Sequence, residues 1–197
     1  MSRTVVLFDF DGTISKSDSL LLFLKFYFPR REFIKLMSRF VPVYAKFKLG
    51  RIKNGDAKER LFEMAFSGES FQQFDRKSRE FYGKVLKNDL YPEALASIKE
   101  HCEKGHRVVL VSASIQNYLE PFSKDHNMEL ICTQLEVAGG KLTGKFQTPN
   151  CYGSEKVNRI LSVIDLSEYR EILVYGDSRG DREMMELATR KFYRPFR

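Results

Sequence analysis

The stretch Val5-Val6-Leu7-Phe8-Asp9-Phe10-Asp11-Gly12-Thr13 decides how the rest of the chain is read. Val5 through Phe10 is apolar except at Asp9, the pattern of a strand buried on both faces of a parallel sheet. Unpaired charge is costly to bury, so two carboxylates at the end of such a strand are expected to be used. Alternation sets Asp9 and Asp11 on one side of the strand end, where open α/β sheets take their ligands. Gly12 permits a sharp turn, and Thr13 adds a hydroxyl beside the pair. Two carboxylates this close suit a divalent cation, or a nucleophile beside an acid/base. Taken alone, the pair reads equally well as a strand end with two solvated aspartates.

Three later stretches change that balance. Arg107-Val108-Val109-Leu110-Val111 is a second buried strand and delivers Ser112 to its carboxyl end. In Gly153-Ser154-Glu155-Lys156-Val157, Ser154 reads as a helix N-cap and puts Lys156 in the first turn. A cation is disfavoured there, so a nearby anion would explain it. Ile172-Leu173-Val174-Tyr175 is a third buried strand, running into Gly176-Asp177-Ser178-Arg179-Gly180-Asp181. In this order and context the chain resembles the haloacid dehalogenase superfamily: Asp-x-Asp-Gly-Thr, then Ser, then Lys, then Gly-Asp-Ser-x-x-x-Asp.

Length and composition are those of an ordinary soluble protein. The 197 residues suffice for one full core and a small accessory domain, with 43% hydrophobic and 30% charged residues. Asp9 follows Met1 too soon for a signal peptide, and the apolar run from Leu20 to Phe28, broken by Lys25 and stopped by Pro29, is too short to span a bilayer. Cys102, Cys132 and Cys151 lack metal-type spacing and read as free thiols in a reducing compartment. The cytoplasm is the expected address, extending to the inner membrane face if the chain binds lipid. Net charge is +7, yet nine Lys or Arg against the single Glu32 make residues 25–53 carry +8, leaving −1 for the remainder.

Along the chain, Ser17 or Asp18 can cap a helix from Ser19 or Leu20 that ends at Pro29. Helical spacing resumes at Arg31, Pro42 is expected to break it, and Asp56–Phe66 and Phe71–Val85 read as two amphipathic helices. The helix from Pro92 to Glu103 returns to the core, with helices over 115–124, 154–164 and 181–188. Strands are expected over 128–133 and 171–175, a hairpin at Ala138-Gly139-Gly140, and an edge strand at 191–193. Strands alternating with helices predict a doubly wound parallel, Rossmann-like α/β sheet. The expected domains are a core of residues 1–14 and 88–197 and an all-helical cap of residues 15–87. Ser114 is the better candidate than Ser112 to cap the helix near Ile115, and His101, His106 and His126 are expected to cluster with nothing.

The resemblance implies a phosphomonoester hydrolase. Asp9 would be the nucleophile that takes up the phosphoryl group, and Asp11 the acid that protonates the leaving oxygen and then the base. Asp9, Asp177 and, through its backbone carbonyl, Asp11 would hold Mg²⁺; repulsion from Asp9, Asp177 and Asp181 would keep Asp11 protonated at first. Ser112, Lys156 and the backbone N–H groups of Gly12 and Ala113 would grip phosphoryl oxygens, with Asp181 and Thr13 in support. Asp11, Lys156 and Asp177 together suit a metal-bound dianion better than halide displacement.

The helical insert resembles the phosphoserine phosphatase branch, but Gly12, Ala113 and Asp18 stand where that activity typically has Ser, Gly and an amine-binding Glu. Asp18 is thus the candidate for substrate specificity, and a small phosphorylated metabolite the expected partner. The basic insert, interleaved with aromatics, raises two rivals: a phosphatase acting on a lipid phosphate such as phosphatidylglycerophosphate at an anionic membrane, and a non-catalytic binder of lipid or polyanion. Its plain reading is an internally packed apolar stripe with a solvated basic face. No nucleic acid is expected as a partner, and the oligomeric state is left open.

Overall fold

Five strands, the three central ones largely apolar and buried, assemble into one parallel sheet. The computed structural model describes residues 3–197. Strand β1 (Thr4–Phe8) lies at the centre of the order β3-β2-β1-β6-β7, between β2 (Arg107–Ile115) and β6 (Glu171–Gly176), with β3 (Glu129–Thr133) and β7 (Arg190–Tyr193) at the edges. All neighbours pair parallel. Parallel strands need crossovers, and these cover both faces of the sheet. Val5 and Leu7 face Ile160 and Ile164 around α7 (Ser154–Val163) and Met184 and Met185 of α8 (Arg182–Glu186). Val6 and Phe8 face Ala94 and Ile98 of α5 (Pro92–Glu103) and Leu119 and Phe122 of α6 (Gln116–Asp125). The doubly wound sheet is therefore present.

Between β1 and β2 the chain inserts α1 (Ser19–Tyr27), α2 (Arg30–Lys48), α3 (Asn54–Phe66) and α4 (Phe71–Lys84). The two linkers run side by side: Lys16 N–H donates to Asp89 O (2.7 Å), Tyr91 N–H to Ile14 O (2.9 Å), and Ser17 donates twice to the Asp89 carboxylate. Phe23 is the hub of the insert, with Phe66, Phe74, Phe81 and Tyr118 each within 5.9 Å of its ring centre. Tyr118 belongs to α6, so this cluster joins the sheet's own core. The antiparallel hairpin β4 (Leu135–Ala138) and β5 (Lys141–Phe146) straps the turn between α3 and α4 through Gly68 N–H to Leu142 O and Phe71 N–H to Gly140 O. A side chain on Gly144 (φ +85°) would strike the Glu63 backbone. Among the described residues, no helix is long and apolar enough to cross a membrane.

Four local expectations are corrected. Helix α2 continues through Pro42, because Leu36 and Phe40 before it and Val43 after it pack inward while Pro42 itself is exposed. The N-cap of α7 is Gly153 (φ +61°), not Ser154. Ser114 caps nothing; α6 starts after Ile115 and Ser114 turns elsewhere. His101 and His106 do meet, Nδ1 to Nδ1 at 3.0 Å, with His101 Nε2 3.0 Å from the Tyr175 hydroxyl. Gly105 (φ +70°) reverses the chain after α5, and His106 N–H returns to His101 O, which brings the two rings to 5.2 Å with a 35° tilt.

Pro42 withholds one helical donor, so Pro42→Ala is expected to stabilise the protein by about 1–3 kcal/mol, read as a higher urea midpoint at unchanged slope. An unchanged midpoint would mean that the proline's restriction of the unfolded chain offsets the missing bond.

Candidate active site

The carboxyl ends of β1, β2 and β6 and the start of α7 converge on one cleft of about 470 Å³. Beyond β1, the N–H groups of Thr13, Ile14 and Ser15 all bond Phe10 O, curling the chain tightly around Gly12 (φ +77°). Only glycine fits there: a Cβ would come within 2.6 Å of the Asp177 carboxylate and collide with the Arg197 guanidinium.

At the centre lies Lys156, 1% exposed, whose Nζ donates to Asp9 Oδ1 (2.5 Å) and Asp181 Oδ1 (2.6 Å). Burial pulls the Lys156 ammonium down, but the two carboxylates outweigh it and hold the group charged. Burial pushes Asp9 up to about 8, against the pull of Lys156. Asp181 is the opposite case: burial raises it, and Lys156 with the Ser178 donors brings it below the usual carboxylate range. Its Oδ2 accepts from Asp177 N–H, Ser178 N–H and Ser178 Oγ, so both oxygens are engaged in holding the loop and the lysine. Asp177 keeps Oδ1 buried without a partner, while Oδ2 accepts from Arg197 at 2.7 Å. Burial raises Asp177 as well. Asp9, Asp177 and Asp181 bring their ligand atoms within 4.8 Å of one another.

Asp11 lines the same cleft but points away from that trio. Oδ1 accepts from Ser19 N–H (2.7 Å) and Oδ2 from Ser114 Oγ (2.6 Å). Burial raises its pKa first and the charge of Asp18 second, where the sequence pointed to Asp9, Asp177 and Asp181. Ser114 reaches Asp11 because β2 breaks register with β3 between Ser112 and Ile115; the bulge re-aims the side chain. Ser112 is buried and lines the cleft, with Oγ accepting from Ser114 N–H. Ala113 also lines it, and its carbonyl accepts from Lys58 Nζ (2.7 Å) and Thr133 Oγ1. Thr13 Oγ1 is buried and unpartnered. Asp18 is exposed at the rim, where Oδ1 caps α1 through Leu21 N–H.

The structure thus gathers Asp9, Asp11, Gly12, Ser112, Ala113, Lys156, Asp177 and Asp181 around one cleft, with Asp18 at its edge. Sequence reasoning missed Ser19, Ser114, Lys58 and Arg197. Lys58 carried no local signal, since it reads as one more cation on an amphipathic helix, and burial against the cleft pulls its ammonium down. Arg197 arrives only because the chain after β7 turns back, with Arg194 Nε donating to Asp177 O.

The family of haloacid dehalogenase-like hydrolases matches residues 6–186. Protein CicA of Caulobacter vibrioides is 32% identical over 196 residues, covering 98% of this chain and 86% of the relative. Among solved structures, a protein of unknown function from Bordetella pertussis Tohama I aligns with TM-score 0.85 at 22% identity, covering 97% of this chain and 89% of that one. A phosphoserine phosphatase, solved as an analogue of its phospho-aspartyl intermediate, aligns with TM-score 0.63 at 17% identity over 97% of this chain and 86% of that one, a likeness of fold.

Proposed function

Because the chain belongs to the haloacid dehalogenase-like hydrolases, we propose that it hydrolyses a phosphate monoester of a small metabolite through an aspartyl-phosphate formed on Asp9. One observation carries this reading: a buried lysine spans Asp9 and Asp181 while Asp177 Oδ1 stays buried and unpartnered beside them. A buried carboxylate oxygen without a donor suits a cation, and the oxygen-only donor set suits Mg²⁺. Asp9, Asp177 and the Asp11 carbonyl are the groups assigned to it. When bound, Mg²⁺ would offset the negative charge of the phosphate dianion.

The chain's own residues supply the rest. Lys156, Ser112 and the N–H groups of Gly12 and Ala113 are assigned to the phosphoryl oxygens. An Asp9 oxygen forms the new O–P bond as the bond to the leaving oxygen breaks, and Asp11 gives that oxygen its proton. Burial favours the neutral form of Asp11 that this step needs. A water then attacks phosphorus, Asp11 takes its proton, and the Asp9–phosphorus bond breaks to release phosphate. Ser114 can accept from or donate to Asp11, so it accommodates both protonation states. The insert of residues 15-87 serves as the cap that excludes water, with Asp18 and Lys58 facing the leaving group. A panel of phosphorylated metabolites with Mg²⁺ tests the reading. Absence of turnover on every monoester would sink it.

Arg197 competes for Asp177. The Arg197→Gln variant is expected to bind Mg²⁺ about 1.5- to 5-fold more tightly by calorimetry, the range for a partly exposed ion pair. Weaker binding would show that Arg197 supports the site instead.

A second reading, a lipid phosphate as substrate, is favoured by Phe40, Tyr44 and Phe47 of the basic helix α2 lining the cleft.

A further inference from the structure

Helix α2 has two apolar faces, and only one of them meets the protein. Leu36 and Phe40 are buried, and Phe33, Met37 and Val43 pack beside them. On the opposite side Ile34 is 55% exposed, Val41 60% and, just past the helix end, Leu49 67%. At about 100° per residue, Ile34, Val41, Ala45 and Leu49 fall within an outer arc of about 80°, which also holds the exposed Ser38 and, at its edge, Arg31. Lys35, Arg39 and Lys46 border this arc on one side and Arg30 and Lys48 on the other, all exposed. The expected solvated basic face is therefore split by an aliphatic ridge.

The cations of this face lack the helical ion pairs found on several other helices. Lys84, Lys104 and Lys124 each pair with a glutamate four residues earlier on their helices. Among the described residues, none of the Lys or Arg between 30 and 53 makes an ion pair with a carboxylate. A merely solvated face gains nothing from an unpaired cationic border around exposed aliphatics. A surface presenting anions outside and hydrocarbon beneath matches both parts at once. A nucleic acid would use the cations but not the aliphatic ridge.

We propose that the outer face of α2 docks on an anionic lipid membrane, with Ile34, Val41 and Leu49 at the headgroup–acyl boundary and Arg30, Lys35, Arg39, Lys46 and Lys48 on the headgroups. The inner side of the same helix lines the catalytic cleft, so docking brings the cleft mouth to the membrane surface. Docking does not depend on the phosphatase reading.

The test is co-sedimentation of the full chain with vesicles of phosphatidylcholine alone, or of phosphatidylcholine with phosphatidylglycerol. Binding is expected only to the anionic vesicles and is expected to weaken with salt. The double variant Ile34→Asp, Val41→Asp is expected to lose at least tenfold in vesicle affinity, and Lys35→Gln about fivefold, from about 1 kcal/mol per cation near the surface. Both positions face solvent outside the cleft, so turnover of a soluble aryl phosphate should be unchanged, which separates lost docking from lost folding. The Asp9→Asn protein should dock like wild type. Indifference to lipid charge, full binding by the double variant, or tighter binding of a single-stranded RNA at the same salt would each overturn the proposal.

Discussion

Replacing Asp9 by Asn is expected to lower turnover of any accepted monoester by on the order of 10³-fold or more, about 4 kcal/mol of transition-state stabilisation. The amide cannot form the phospho-enzyme bond, and nothing else in the cleft stands in its place. The fold should survive. Asp9 is 6% exposed and burial pushes its carboxyl up to about 8, so its negative charge adds little net stability to the metal-free protein. The asparagine therefore removes little that stabilises the metal-free protein. A change in metal-free stability within about 1 kcal/mol is expected. The same shift sets a pH dependence. A cation needs the ionised carboxylate, so wild-type Mg²⁺ affinity should fall by up to about tenfold per unit as pH drops below about 8, with proton release on binding. In the asparagine protein this slope should shrink. Activity within tenfold of wild type would end the nucleophile assignment, and a flat wild-type affinity profile would end the burial argument.

Lys156→Met is expected to be costly twice. Nζ is the shared donor to Asp9 and Asp181, all three residues being buried, and removing one partner of a buried ion network leaves charge uncompensated at about 3–5 kcal/mol. Urea denaturation of the metal-free variant should show this loss. Asp181 should suffer most: its carboxyl, held low partly by Lys156, would rise once the ammonium is gone, so the variant's deficit should narrow as pH falls and the carboxylates protonate. Turnover should fall with it, because the cation assigned to the phosphoryl oxygens is lost. Mg²⁺ should stabilise the variant by more than it stabilises wild type, since it then neutralises carboxylates with no ammonium between them. A variant with wild-type stability and turnover would mean that Lys156 neither holds the carboxylates nor meets the substrate.

How much of this was legible follows from how local each signal is. The strands β1, β2 and β6 announced themselves as apolar runs, because a strand covered on both faces must be apolar nearly throughout. Asp9, Ser112, Lys156, Asp177 and Asp181 stood out as polar groups at the ends of such runs or in a first helical turn. Pro42 misled because its local cost was weighed without the inward anchors on either side of it. The histidines misled because the pairing of His101 with His106 depends on a reversal at Gly105, whose form sequence spacing does not reveal.

The sequence by itself determined the parallel sheet, the alternation of its strands with helices and the carboxylates at its carboxyl edge, since each is written in short local stretches. Tertiary structure alone decided that Ser114 and Ser19 hold Asp11, that Lys58 reaches the bulge at Ala113, that the hairpin straps the insert, and that Arg197 lies on Asp177. Those contacts join residues far apart along the chain, and only the packing of insert, bulge and tail around one buried lysine brings their atoms within bonding distance.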